Sequence, residues 1–268
     1  MSEALPFEPH RFRSAAAHYR AGRTAYPPLL IRRTAERAGV TPAHRVLDLG
    51  CGPGPLAIGF SYFAGEVVAV DPEPAMLEEA RAAAAGLAPD IIFREGSSYD
   101  LDAAPGRFRL VVIGRAFHWM DRADTLRRLD AMIEPGGAVA LFDDTHADVP
   151  QNAWRDRWRE LVDRYAAGDP VHDRRRVKGA WVRHLPFLLD SAFSRIERLS
   201  VFGRRLATVQ SLVDRAMSMS STSRARLGEA RADALIADLD TLLREIAPSG
   251  VLEEVLEWSA TIATRQPT

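Results

Sequence analysis

The run Val46-Leu-Asp-Leu-Gly-Cys-Gly-Pro-Gly-Pro-Leu-Ala-Ile58, followed by Val67-Val-Ala-Val-Asp71, constrains this chain more than any other feature. The first apolar stretch reads as a buried strand, the glycines as a tight turn and Pro55 onward as a helix. Gly50, Gly52 and Gly54 let the backbone turn sharply and come close to a ligand. Pro55 has the fixed φ and missing N–H tolerated in a helix's first turn. The second apolar run ends on Asp71, where a carboxylate can accept hydrogen bonds from two ribose hydroxyls. Together these mark a nucleotide-type cofactor site.

Two cofactor classes use this layout, dinucleotides and S-adenosylmethionine. The dinucleotide pattern G-x-G-x-x-G fails from Gly50 because position 55 is proline, but the looser G-x-G-x-x-A form is met by Gly52, Gly54 and Ala57. The glycines alone leave both open. Asp48 separates them: a carboxylate at the mouth of the first strand can pair with a methionine ammonium, directly or through water, and would repel a pyrophosphate. No catalytic Tyr-x-x-x-Lys pair supports an NAD-dependent oxidoreductase.

The segment Asp48-x-Gly50-x-Gly52-x-Gly54 resembles the first motif of the class I S-adenosylmethionine-dependent methyltransferases, and further segments fit that family in order. Asp71, Pro72 and Met76 resemble its ribose acid and adenine-packing region. Gly96-Ser97-Ser98-Tyr99 falls where the family frames adenine. Val111-Val-Ile-Gly-Arg-Ala-Phe-His-Trp119 resembles its fourth strand and catalytic-loop entrance, and Glu134-Pro-Gly-Gly137 its turn into strand five. The resemblance spans about residues 10 to 145 and is closest in style to the type-11 and trans-aconitate-methyltransferase-like groups. It implies S-adenosylmethionine as cofactor, held by Asp48, Gly50, Cys51, Gly52, Gly54, Asp71, Pro72, Met76, Ser97, Ser98, Tyr99, Arg115, Ala116 and Phe117. It further implies an N-terminal lid whose Tyr19 and Arg23, with Tyr26, touch the cofactor.

Regular alternation of strands and helices predicts an α/β fold: a Rossmann-like parallel sheet with helices on both faces, a terminal antiparallel strand and a helical cap from insertions. The expected partition is an N-terminal helical lid over 1–40, a cofactor-binding core over 41–150, a cap insertion over 151–192, and a terminal strand pair with a helical insertion over 193–268. Residues 1–9 read as disordered, and a helix is expected from about Arg11 to Arg20. Core strands are expected at 46–50, 66–70, 90–93, 108–113 and 138–142, then a final pair at 195–202 and 255–264. Ligands of such sheets bind beyond the strands' carboxyl ends, which gathers Asp48, Asp71, Ser97, Arg115 and Asp143 at one cleft. In the cap, Trp154, Trp158, Leu161 and Tyr165 share a helical face, as do Leu235, Leu239, Leu242 and Ile246. With Trp181, the tryptophans make either cap packing or an aromatic pocket wall. The Met217–Thr222 linker is a second candidate lining.

Composition narrows the function. A net charge of -1 argues against nucleic acid as a bulk partner, and the run Asp173–Lys178 reads as a solvated face. One cysteine excludes an internal disulfide; the lack of a leader or a bilayer-length apolar run leads us to expect a cytoplasmic monomer or homodimer. The family resemblance implies in-line methyl transfer to a small-molecule acceptor, with oxygen favoured and secondary metabolism one setting. Alternatives are a non-methyl reaction such as cyclisation, or a non-catalytic cofactor-binding regulatory partner. Methyl transfer relies on proximity and orientation, so a base is needed only if the acceptor retains its proton. His118, just after the fourth strand, and His146, in Asp143-Asp-Thr-His146, are the candidates. No residue spacing indicates a metal site.

Overall fold

The computed structural model describes residues 7–88, 90–103, 107–176 and 182–267. Its strands are β1 (Arg45–Leu49), β2 (Glu66–Asp71), β3 (Ile92–Glu95), β4 (Phe108–Gly114), β5 (Ile133–His146), β6 (Arg195–Thr208) and β7 (Val251–Thr264). They form one sheet in the order β3-β2-β1-β4-β5-β7-β6, parallel from β3 to β5, with β7 antiparallel to both neighbours. The central strands are nearly all apolar because both faces are covered: Val46, Leu47, Leu49, Leu110, Val111 and Val112 are fully buried.

Helices α1 (Ala16–Gly22) and α2 (Pro28–Ala38) precede the sheet. Within it lie α3 (Pro55–Phe60), α4 (Pro74–Ala84) and α5 (Arg122–Met132). Leu30, Leu56, Phe60 and Leu77 bring α2, α3 and α4 onto one face. On the other, Leu126 and Leu129 of α5 pack with Leu188 of α8 (His184–Leu189). The remaining helices, α6 (Trp154–Ala166), α7 (Pro170–Arg176), α9 (Val209–Met217), α10 (Arg224–Leu227) and α11 (Glu229–Ile246), belong to the two insertions. Those insertions, far apart in sequence, share one core: Trp154, Trp158 and Leu161 pack with Leu212, Met217, Leu235 and Leu239.

Several expectations shift. The first helix is delayed, with a 3-10 turn at Arg13–Ala15 preceding α1. Strands β5, β6 and β7 outrun their expected limits because antiparallel pairing continues to His146↔Leu256 in one ladder and Thr208↔Val251 in the other. The buried stripe of α11 runs through Leu235, Leu239 and Leu243; Leu242 and Ile246 lie beside it, half-buried. Trp154 and Trp158 belong to the cap core. Residues 1–6, Val177, Lys178 and Trp181 lie outside the described residues. No helix among those described is long and apolar enough to cross a membrane.

Candidate functional site

At the end of β1 the chain hooks onto β2: the N–H groups of Gly50 and Cys51 both donate to the Val70 carbonyl, 2.8 and 3.0 Å away. Gly50, Gly52 and Gly54 all take left-handed φ angles of 72, 53 and 77°. At Gly52 a Cβ would meet nothing within 4 Å, so the turn is open there toward the cleft. Asp71 closes the turn from the other side: Oδ2 accepts from the Gly52 N–H at 2.8 Å and Oδ1 from the Glu73 N–H at 2.9 Å. Burial raises its pKa to about 6, with those two N–H groups opposing.

Asp48 is buried beneath this turn. Its Oδ2 accepts from the Ala57 N–H in the first turn of α3 at 2.9 Å, while Oδ1 has no partner among the described residues. Burial pushes it up to about 7, the Ala57 N–H opposing and Asp71 adding. An unpartnered buried carboxylate oxygen beside an open glycine turn suits a cationic group, reached directly or through a water.

The other expected cofactor residues divide. Ser97 and Ser98 are buried after β3, and the Ser97 hydroxyl donates to Asp100 at 2.7 Å; Asp100, which also accepts from the Ser97 N–H, shapes this turn. Tyr99 meets Phe7 edge-on at 5.0 Å. Pro72 follows Asp71 directly, and Ala116 abuts Gly50, whose Cβ would come within 2.6 Å of its own. Cys51, Met76 and Phe117 are buried packing residues. Arg115, with φ 55°, has its guanidinium committed: Nε pairs with Asp144, NH2 donates to the Thr24 carbonyl at 2.8 Å, and the group lies over the Tyr26 ring. Tyr19 and Arg23 face the helical cap: Arg23 Nε donates to Ser218 Oγ at 2.9 Å, and its guanidinium lies 5.4 Å from the Tyr19 ring centre.

The two histidines are not brought together. His118 stacks on His184 with ring centres 6.4 Å apart. His146 Nε2 lies 3.0 Å from Glu254 Oε2 and meets Trp154 edge-on. Glu254, fully buried, also takes both NH groups of Arg215 at 2.8 and 2.9 Å and Arg205 Nε at 2.8 Å. Burial alone would raise this carboxyl; the hydrogen bonds from Arg215 and His146 and the arginine charges outweigh it and hold the pKa at about 2. His146 Nε2 also lies 3.3 Å from Arg215 Nη1, so the imidazole sits between this carboxylate and the guanidinium that pairs with it. His146 is thus a member of this ion network. Asp143 is exposed, whereas Asp144 pairs with Arg115.

The N-terminal segment contacts both the neighbourhood of the glycine turn and the helical cap. Toward the nucleotide side, His10 reaches Glu73 at 3.3 Å, Phe12 meets Trp119 edge-on, and Arg11 lies over the same ring. Toward the cap, Arg11 pairs with Asp169, His18 with Asp214 at 2.7 Å, and Arg215 donates to the Gly22 carbonyl. Gly22 permits this: a Cβ there would fall 2.4 Å from the Arg215 backbone. Glu73, Asp100, Arg215 and Glu254 were not singled out by sequence reasoning; the acid three residues after Ser97 was the one local signal for any of them.

Among the described residues no group of three or more His, Cys, Asp or Glu converges as a metal site would require. A family profile described as a methyltransferase domain matches residues 46–137. An uncharacterized methyltransferase of Mycobacterium tuberculosis is 31% identical over 78% of this chain and 76% of its own. Trans-aconitate 2-methyltransferase of Methylobacterium radiotolerans is 35% identical over 47% of this chain and 48% of its own. In fold, the chain is similar to a SAM-dependent methyltransferase from Thiobacillus denitrificans solved with S-adenosyl-L-homocysteine, at a TM-score of 0.53 and 17% identity over 98% of this chain and all of the other. The chain therefore belongs to the class I S-adenosylmethionine-dependent methyltransferases.

Proposed function

We propose that this enzyme methylates an oxygen of a small-molecule acceptor with S-adenosylmethionine, bound across the ends of β1, β2 and β4. The observation that carries the cofactor assignment is Asp48 Oδ1, a buried carboxylate oxygen without a partner among the described residues, beside the open Gly52 turn. Asp48 faces the cofactor's ammonium; Asp71 receives the ribose hydroxyls on lone pairs left by its two backbone bonds; Ser97, Ser98 and Tyr99 border the adenine. Bound S-adenosylmethionine supplies an electrophilic methyl group. The N-terminal segment excludes water from that methyl, and His118 borders it from the β4 side. The acceptor enters between α1, the end of β5 and the helical cap, where specificity resides.

Calorimetric titration of S-adenosylmethionine, S-adenosylhomocysteine and NADH tests this. Asp71→Ala removes a charge-assisted contact of about 1.5 to 3 kcal/mol, so the adenosyl ligands are expected to bind roughly 10- to 150-fold more weakly. Tight NADH binding without an adenosyl response would overturn the cofactor assignment.

A further inference from the structure

The outer strand of the sheet lacks the devices that commonly keep such a strand single. Among the described residues β6 pairs with β7 along one side, and no strand lies beyond it. Its 14 residues contain no proline and run in unbroken register with β7 from Arg195↔Thr264 to Thr208↔Val251, without a bulge. A long edge of this kind presents a row of N–H and C=O groups to another strand. Hydrogen bonds at the ends of two ladders fix the direction of those groups. The Val209 N–H donates to the Gly250 carbonyl at 3.1 Å, which makes the odd-numbered residues of β6 the ones bonded to β7. The Ala147 N–H donates to Val255 at 3.0 Å, which turns the odd-numbered residues of β7 to β5 and leaves its even-numbered ones for β6, in agreement. The even-numbered residues of β6 therefore turn both N–H and C=O outward.

The same even-numbered residues carry the side chains of a bare face. Leu199 and Val201 pack on the core beneath α2, and Ile196 packs on the core that holds Leu188 of α8. Beyond Ile196, the side chains of Arg198, Ser200, Phe202, Arg204 and Leu206 are all exposed, Phe202 at 63% and Leu206 at 72%. Charge guards many edges, but here it is answered within the chain. Arg198 pairs with Glu257 and Arg204 with Glu253, each at 3.1 Å, and Arg205 pairs with the buried Glu254 at 2.8 Å. The edge thus joins open backbone to apolar side chains without a net repulsion against a copy of itself.

We propose that two copies of this chain meet at β6, pairing antiparallel across a two-fold axis at Phe202 into one continuous sheet. Such a contact closes on itself, and each interaction is made twice. With Phe202 opposite its counterpart, Ser200 faces Arg204, Arg198 faces Leu206 and Ile196 faces Thr208, so nearly the whole strand is paired. An axis at Val201 would set Arg198 against Arg204, like charge on like. Axes at Ser200 or Gly203 would leave more of the strand single. The chosen register gives an aromatic pair on the axis. It also brings Arg204 of each copy to Ser200 of the other, whose hydroxyl lies 2.5 Å from Glu257 of its own chain. Strands β7, β5 and β4 separate β6 from β1, so both glycine turns stay clear of the interface.

Analytical ultracentrifugation of wild type and Phe202→Asp tests the pairing. A sheet-edge contact lies at the small end of specific interfaces, so a Kd of about 10 µM is expected. Between about 1 and 100 µM the average mass of wild type should climb from one copy toward two, while Phe202→Asp stays at one. Because this side chain is exposed in the single copy, the two proteins should unfold within about 2 °C of each other at about 1 µM, and only wild type should gain Tm on concentration. Cross-linking tests the register, since the native Cys51 is buried. Phe202→Cys sets two Cα atoms about 5.5 Å apart across the axis, within disulfide reach, and should form a covalent dimer on mild oxidation. Leu206→Cys, roughly 25 Å from its counterpart, should not. Wild type that remains a single copy at about 100 µM overturns the proposal. So does a Phe202→Asp variant that dimerises like wild type, or cross-linking at Leu206→Cys that matches Phe202→Cys. A mass that climbs past two copies would mean open-ended addition instead of a closed pair, and the proposal falls by that route also.

Discussion

The two ends of the cleft are built by different means. At the nucleotide end, the decisive contacts join backbone to nearby carboxylates: Asp48 to Ala57 across 9 residues and Asp71 to Gly52 across 19. At the proposed acceptor end, side chains reach across most of the chain: Arg23 to Ser218 across 195 residues, Arg215 to the Gly22 carbonyl across 193, and Trp258 to Thr24 across 234. The first end is a local backbone device that any chain with the right glycines and acids can form. The second exists only once lid, sheet and cap have docked, and it depends on matching charges as they are buried.

The largest effect should come from breaking the long-range end. Glu254→Ala leaves Arg215 buried without its partner, a loss of about 3 to 5 kcal/mol by comparison with other broken buried pairs. Denaturant titration should show that loss at pH 7, and a stability change under about 1 kcal/mol would show that the network is well hydrated. The sign with pH is set by the depressed pKa. Because the folded value of about 2 lies below the ordinary glutamate value, the Glu254 contribution is full above about pH 4.5 and disappears as pH falls toward 2.

At the nucleotide end, Asp48→Asn keeps an oxygen for the Ala57 N–H but removes the charge. S-adenosylmethionine should bind roughly 10- to 150-fold more weakly at pH 8, a loss of about 1.5 to 3 kcal/mol. The difference should shrink below about pH 7, where wild-type Asp48 takes up its proton. The free proteins should diverge the other way. A raised carboxylate pKa costs stability as pH climbs from the ordinary carboxylate range through about 7, so the asparagine variant should be the more stable at pH 8 and should lose that advantage near pH 4. A pH-independent affinity ratio would remove Asp48 from direct or water-mediated contact with the ligand.

The smallest effect sharpens the contrast. Gly52→Ala meets no steric obstacle but places a Cβ in the left-handed region, at a cost of about 1 to 2 kcal/mol in stability. Its methyl also enters the cleft, so cofactor affinity should fall in parallel, as calorimetry would reveal. Unchanged binding would mean that the ligand does not approach this turn.

The same contrast explains what could be read from sequence. The turn after β1, the acid ending β2 and the strand–helix alternation are short-range patterns, and they anticipated the parallel sheet and its antiparallel close. The surroundings of His146 were not legible along the chain: its partner Glu254 lies 108 residues away, on a strand whose inward face is set by the register with β5. Arg23 lies at the boundary between the two cases. Its position near the cleft was legible, but whether a carboxylate neutralises it depends on the docking of α9 and the linker after it. The shared core of the two insertions was similarly hidden, since each helical stripe specifies an apolar face without naming its partner.

The place of β7 in the sheet has a consequence for biosynthesis. Although it is the last of the seven strands to be translated, it lies between β5 and β6 and pairs with both. Until Val251–Thr264 leaves the ribosome, the nascent chain has an open edge on β5 and no seat for β6, at a stage when such edges invite association with other chains. The contacts that β7 makes with β5 and β6 cannot form before synthesis of this strand. Pausing or premature termination within it should therefore yield polypeptides that hold a glycine turn yet are cleared as unfinished.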